Sequence, residues 1–139
     1  KQIYKGLSHY PPGINGFVDV RDVSRSIIEL VNSKINAERF IVVGDNISYE
    51  KVFKTIADKF NVSGPQKLVS KKLLEIVWKI EAIRCFLIRK RPKITKETAR
   101  TSSQKNYYNN EKIKTELKYQ FYTIEESIEN SVKFFLKFN

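Results

Sequence analysis

Cysteine and histidine, the side chains most often used as nucleophile, general base or soft metal ligand, each occur once, as Cys85 and His9. A single member of each type forms neither a metal-ligand cluster nor a nucleophile–base pair. Cys85 stands among apolar residues, which predicts a buried, inert thiol, and a lone cysteine allows no internal disulfide. The acidic residue with the clearest local assignment is Asp22. It precedes a run with apolar residues at Val23, Ile27, Leu30 and Val31, the spacing of one helical face, so its carboxylate is expected to cap that helix. Just before it, Gly13 and Gly16 bracket Asn15 in a turn composition that tolerates positive φ. Phe17-Val18-Asp19-Val20 then has the content of a short strand.

The elements that must position these groups come from a chain of 139 residues, 41% of them apolar. That length fits one domain able to bury a stable core. The formal net charge of +11 brings nucleic acid or an anionic surface into consideration. Lys71-Lys72 and Arg89-Lys90-Arg91 stand at the two ends of one helical segment. Against nucleic acid, 15 acidic residues are interspersed with the bases, and no recognition-helix, zinc or aromatic RNA-binding signature is present. Lys1 to Tyr10 lacks the apolar core of a signal peptide. The stretch from Leu73 to Ile88 is interrupted by Glu75, Lys79, Glu81 and Arg84 and falls short of a membrane span. No membrane partner and a cytoplasmic location are the resulting expectations.

Gln2 to Leu7 reads as a last helical turn stopped by Gly6, and Phe40-Ile41-Val42-Val43 as a strand buried on both faces. Ser48 can cap a helix with Tyr49, Val52, Phe53, Ile56, Ala57 and Phe60 on one stripe. Lys67-Leu68-Val69 fits a short edge strand, and Ser70 opens a long helix. That helix is apolar on two sides: Leu73, Ile76, Val77, Ile80, Ile83 and Leu87 form one face, while Leu74, Trp78, Cys85 and Ile88 lie off it. Two apolar faces need two partners, so the 70–88 helix invites a homo-oligomer, a missing domain or a ligand. Thr95 caps a short helix, another runs from about Asn110 to Leu117, and Thr123-Ile-Glu-Glu126 is a capping box heading a final helix. The fold class expected is a helix-rich α+β unit with two to four short strands.

Four segments in order carry a family resemblance: Gly16-Phe-Val-Asp-Val-Arg-Asp-Val23, Phe40-Ile-Val-Val-Gly44 leading into Ser48, Arg91-Pro-Lys-Ile-Thr95, and Tyr108-Asn-Asn-Glu-Lys112-Ile113. Together they resemble extended short-chain dehydrogenase/reductases, within them the NAD-dependent epimerase/dehydratase and dihydroflavonol-reductase-like group. The resemblance implies that residues 1–139 are a single C-terminal substrate-binding region of an α/β, Rossmann-type reductase, with the N-terminal dinucleotide-binding domain absent. NAD or NADP would belong to the full-length protein, and this chain alone would bind neither. The missing Rossmann domain and a small-molecule substrate are the partners implied.

The chain departs from that family where the chemistry should lie. Its five glycines, at 6, 13, 16, 44 and 64, do not form a phosphate-binding loop. The family's Tyr-x-x-x-Lys pair, whose lysine lowers the tyrosine pKa, is matched only by Tyr108 and Lys112. In the family that pair precedes the Gly-Phe-Val-Asp segment, whereas Tyr108 follows it. A cap at Asn109 would also leave Tyr108 outside the helix. No catalytic, cofactor or metal residue is therefore expected. Tyr10 and Asn15, in the loop that by resemblance borders the substrate cleft together with His9 and Pro11, are candidate substrate contacts. Trp78 and Arg84 on the long helix could supply an aromatic wall and an anion contact. The implied function is the substrate-binding portion of an NAD(P)-dependent nucleoside-sugar epimerase/dehydratase or ketone reductase, inactive alone. The alternatives are a basic nucleic-acid-binding module and a helix-rich oligomerisation module.

Overall fold

Side-chain oxygens start most of the helices. In the computed structural model, which describes every residue except Lys90, Arg91, Lys93, Ile94 and Asn139 and only the backbone of Lys71, Asp19 opens helix α1 (Val20–Asn32). Ser48 opens α2 (Tyr49–Lys59), Ser70 opens α3 (Lys71–Leu87) and Thr95 opens α4 (Lys96–Thr101), each accepting a backbone N–H from the first turn. Helix α5 (Glu111–Leu117) closes on Lys118 in the left-handed region, at φ 50°. The final helix α6 (Ile124–Phe138) has the expected capping box: Glu126 N–H donates to Thr123 Oγ1 at 3.2 Å, and Thr123 N–H donates back to Glu126 Oε2 at 2.8 Å. The Arg91–Thr95 motif and the Arg89-Lys90-Arg91 cluster lie partly outside the described residues.

Among the described residues four short strands form two pairs. β1 (His9–Tyr10) runs parallel to β4 (Lys67–Leu68), while β2 (Ile14–Phe17) runs antiparallel to β3 (Asp45–Ser48) with Gly16 opposite Asn46. The result is a helix-rich α+β unit. Helix α2 packs on α6, and Ile47, Val52, Ile124, Ile128 and Val132 form the core, flanked by Phe17, Phe53, Ile56 and Phe60. Tyr4, Phe60 and Phe135 close one end, with ring centroids 5.2–5.8 Å apart. Helix α3 packs on α4, and Cys85 and Ala99 are buried there.

Three local expectations give way to longer-range structure. The strand expected at Phe17–Val20 ends at Phe17, because Asp19 takes the capping role assigned to Asp22. Its Oδ1 accepts Arg21 N–H at 2.8 Å. The apolar run Phe40–Val43 forms no strand; pairing starts only at Asp45, after Gly44 N–H donates to Phe17 O at 2.8 Å. A strand buried on both faces needs two neighbours, and none of the described strands flanks 40–43. Finally, Gly13 and Gly16 are not at positive φ, and Gly6 is the glycine that is, at 88°. A Cβ on Gly13 would overlap the Ser102 carbonyl and come within 2.7 Å of the Gln104 carbonyl. One on Gly16 would meet Tyr108 Cδ2 at 2.8 Å and Val43 Cγ1 at 2.9 Å. Close approach, rather than backbone freedom, explains both residues.

Candidate functional site

Helix α1 is folded with its polar side inward. Asp22 and Ser26 are fully buried, while Val20, Ile27, Ile28 and Val31 are 56–78% exposed. What fixes the helix is a polar hub rather than an apolar face. Asp22 Oδ1 accepts from Arg25 Nη2 at 2.9 Å and Asp22 Oδ2 accepts from Tyr122 N–H at 3.0 Å. The Tyr119 hydroxyl donates to the Asp22 carbonyl at 2.8 Å, with Asp22 Oδ1 a longer branch at 3.2 Å, and itself accepts from Arg25 Nε at 2.8 Å. Burial raises the Tyr119 phenol pKa, Arg25 opposes that and Asp22 adds to it, so the hydroxyl remains a donor at neutral pH. Arg25 Nη2 also bonds the Gln120 carbonyl, and Arg21 stacks on the Tyr122 ring at 4.0 Å. Segment 119–122 is thereby clamped to α1.

A second polar pair sits at the start of the same helix. Arg21 grips the nearly buried Asp19 carboxylate through Nε at 2.9 Å and Nη2 at 2.7 Å, which holds the Asp19 carboxyl well below the usual carboxylate range. These groups are engaged with one another, so the hub is a brace. The open chemistry lies elsewhere.

A cleft of about 1030 Å³ opens between β1, α3 and α4. Tyr10, His9, Pro11 and Arg84 line it together, so two of the four candidate contacts meet across the groove. Trp78 instead lines a separate 590 Å³ cleft with Glu75, Lys96 and Arg100. Asn15 lies in β2 opposite Ile47 and is not in the wall of the larger cleft. Arg84 is bound by Glu81 in a fork, Nε to Oε2 and Nη2 to Oε1, both at 2.9 Å, so its charge is already balanced. Desolvation and Glu50 raise the Tyr10 pKa. Leu7, Phe53, Val69, Leu74 and Val77 add to the apolar lining, and nothing in their types or spacing marks them as site residues. Leu74 and Val77 belong to the two apolar sides of the long helix and Phe53 to the stripe of α2, so their sequence signal is that of core residues.

Tyr108 lies outside α5, and its N–H and C=O are held by the Asn46 side chain at 2.9 and 2.8 Å. The Asn109 side chain accepts Glu111 N–H at 2.8 Å. Lys112 turns to Glu38 at 2.6 Å and covers the Phe40 ring. Each member of the Tyr-x-x-x-Lys match thus has a structural occupation. Among the described residues no group of His, Cys, Asp and Glu side chains could hold a metal ion, and no helix is long and apolar enough to cross a membrane.

No protein-family model and no curated protein matches the chain. Among solved structures it is similar to the crystal structure of gox2253, with a TM-score of 0.74 over 97% of this chain, at 19% identity. The likeness is one of fold. The chain spans 41% of that protein, so the same fold occurs there as part of a larger chain.

Proposed function

We propose that this chain is the substrate-binding portion of an NAD(P)-dependent reductase or epimerase of the extended short-chain type, operating in the cytoplasm and completed by a dinucleotide-binding unit. The observation that carries this reading is the inverted helix α1. An isolated unit gains nothing by turning Val20, Ile27, Ile28 and Val31 outward, since burying one such side chain is worth about 1.5–3 kcal/mol. A covering domain makes that face an interior one. The unpaired apolar run Phe40–Val43 supports the same reading, as does the recurrence of the fold within a larger chain. Nicotinamide cofactor would be held by the covering domain, and this chain would contribute the cleft beside Tyr10 and Arg84. The reading frame upstream of Lys1 tests the proposal: it should encode a Gly-rich βαβ unit and a Tyr-x-x-x-Lys motif. A stop codon or secretory signal directly before Lys1 would contradict it.

A second reading, self-association, is favoured by the outward stripe of α3. Leu73, Ile76, Ile80, Ile83 and Leu87 are all exposed, at alternating spacings of three and four, the seam of a helix pair. Lys72 and Lys79 flank that stripe and would repel their copies in a dimer. Self-association should therefore strengthen with salt. Light scattering that finds a monomer at both low and high ionic strength would remove this reading.

A further inference from the structure

We propose that the cleft between β1, α3 and α4 binds a neutral, predominantly apolar carbonyl compound or its alcohol, and not a nucleotide-sugar. The inference rests on the reading above in taking the bound ligand to be the substrate; the binding chemistry itself follows from the cleft alone.

Size is the first consideration. A volume of about 1030 Å³ stands at the upper end of the ~300–1,000 Å³ typical of small-molecule pockets, so it admits a ligand of several fused rings or a long chain. Lining chemistry then selects among such ligands. The wall is built from Leu7, Phe53, Val69, Leu74, Val77 and Pro11, with the rings of Tyr10 and Tyr49. A nucleotide-sugar would carry two phosphate charges into this wall, and they would need cations or oriented N–H groups in return. The carboxylate and guanidinium lining the cleft, Glu81 and Arg84, neutralise each other through a two-bond fork, and the His9 ring, also in the lining, shares a hydrogen bond with Ser8 Oγ at 2.7 Å. Outside the lining, Lys54 lies 5.9 Å over the Tyr10 ring, and Glu50 holds it at 2.6 Å. The helix N-termini near the rim, those of α2 and α3, carry their own Ser48 and Ser70 caps, and Glu50 stands in the first turn of α2. Among the described residues the charged pairs at the cleft thus leave no excess of cations for a diphosphate, whose burial without compensation is strongly unfavourable. Thr98, Thr101 and Ser102 lie along the α4 side and suit one or two neutral polar groups on an otherwise apolar molecule.

The test uses the 139-residue chain alone. N-phenyl-1-naphthylamine, a neutral probe fluorescent in apolar surroundings, is titrated in, followed by UDP-glucose as competitor. The expected result is saturable enhancement at one site, undisturbed by UDP-glucose at a hundredfold excess over the probe. Val77→Trp, which fills the cleft from α3, should weaken probe binding at least tenfold. Leu73→Trp, at a half-exposed lining position, supplies the same blockade should Val77→Trp fail to fold. Ile80→Glu, on the outward stripe, should leave the probe in place. Displacement by UDP-glucose, or binding that survives the blocking variants and disappears with Ile80→Glu, would overturn the proposal. Because no nucleotide cofactor enters this experiment, its outcome is independent of what lies upstream of Lys1.

Discussion

The Tyr119 hydroxyl donates to the backbone carbonyl of Asp22 at 2.8 Å across 97 positions of sequence. This contact ties the segment before α6 to the first turn of α1, and with Arg25 and Tyr122 it fills the space where a helix ordinarily buries apolar side chains. Removing one partner leaves buried polar groups unsatisfied. Asp22→Ala should therefore cost about 3 kcal/mol or more, and Tyr119→Phe about 1–3 kcal/mol. Urea denaturation measures both. Loss of under half a kcal/mol in Asp22→Ala would contradict the bracing role.

Glycine substitutions should separate close approach from backbone freedom. Gly13→Ala places a methyl against the Ser102 and Gln104 carbonyls, which are backbone and cannot rotate away. Gly16→Ala meets the side chains of Tyr108 and Val43, which can shift. At Gly6 nothing lies within 4 Å, and the cost is that of φ +88° alone, about 1–2 kcal/mol. The expected order of destabilisation is Gly13→Ala, then Gly16→Ala and Gly6→Ala. Thermal melts showing Gly13→Ala as the mildest of the three would contradict it.

Acid stability should depend on Asp19. Arg21 holds the folded-state Asp19 carboxyl well below its unfolded value, so its contribution is fully present above about pH 4. It is then lost as pH falls toward the depressed folded value. Glu129, pulled down to about 2 by Lys133 and Lys59, acts in the same direction but at the surface, where solvent screens it. Asp19→Asn should lower stability at neutral pH and flatten the loss between pH 4 and 2. Denaturation curves at several pH values check this; an unchanged acid limb in Asp19→Asn would contradict it.

The exposed side of α1 should behave as a surface in this chain and as an interface in a complex. Ile27→Asp and Val31→Asp are expected to change the stability of the isolated chain by about 0.5 kcal/mol or less. The same changes should abolish association with a polypeptide encoded upstream of Lys1. Calorimetric titration of the two pieces measures the second effect, and an unaltered affinity would remove α1 from the interface.

Local signals were readable and pairings were not. Ser48, Ser70, Thr95 and the Thr123–Glu126 box act within one turn of their own helices, and each stands where the sequence places it. The stripe of α2 is legible for the same reason. Asp19 and Asp22 are three residues apart and both suit a cap; Asp19 takes it, while Asp22 is bound by Tyr119 and Tyr122, about a hundred positions away. Phe40–Val43 has the composition of a strand, whereas Asp45–Ser48 has its partner. The cleft was half visible. Tyr10 and Arg84 line it together, whereas Trp78 lines the separate cleft with Lys96 and Arg100, and Asn15 is taken by the β2–β3 pair.

The most direct measurement follows the near-ultraviolet absorbance of NADH and NADPH with the polypeptide from the complete reading frame and a panel of neutral apolar ketones. Ketone-dependent oxidation of one of the two nucleotides is expected, lost when Val77→Trp fills the cleft. Absence of nucleotide binding and of turnover by that polypeptide would contradict the proposed function.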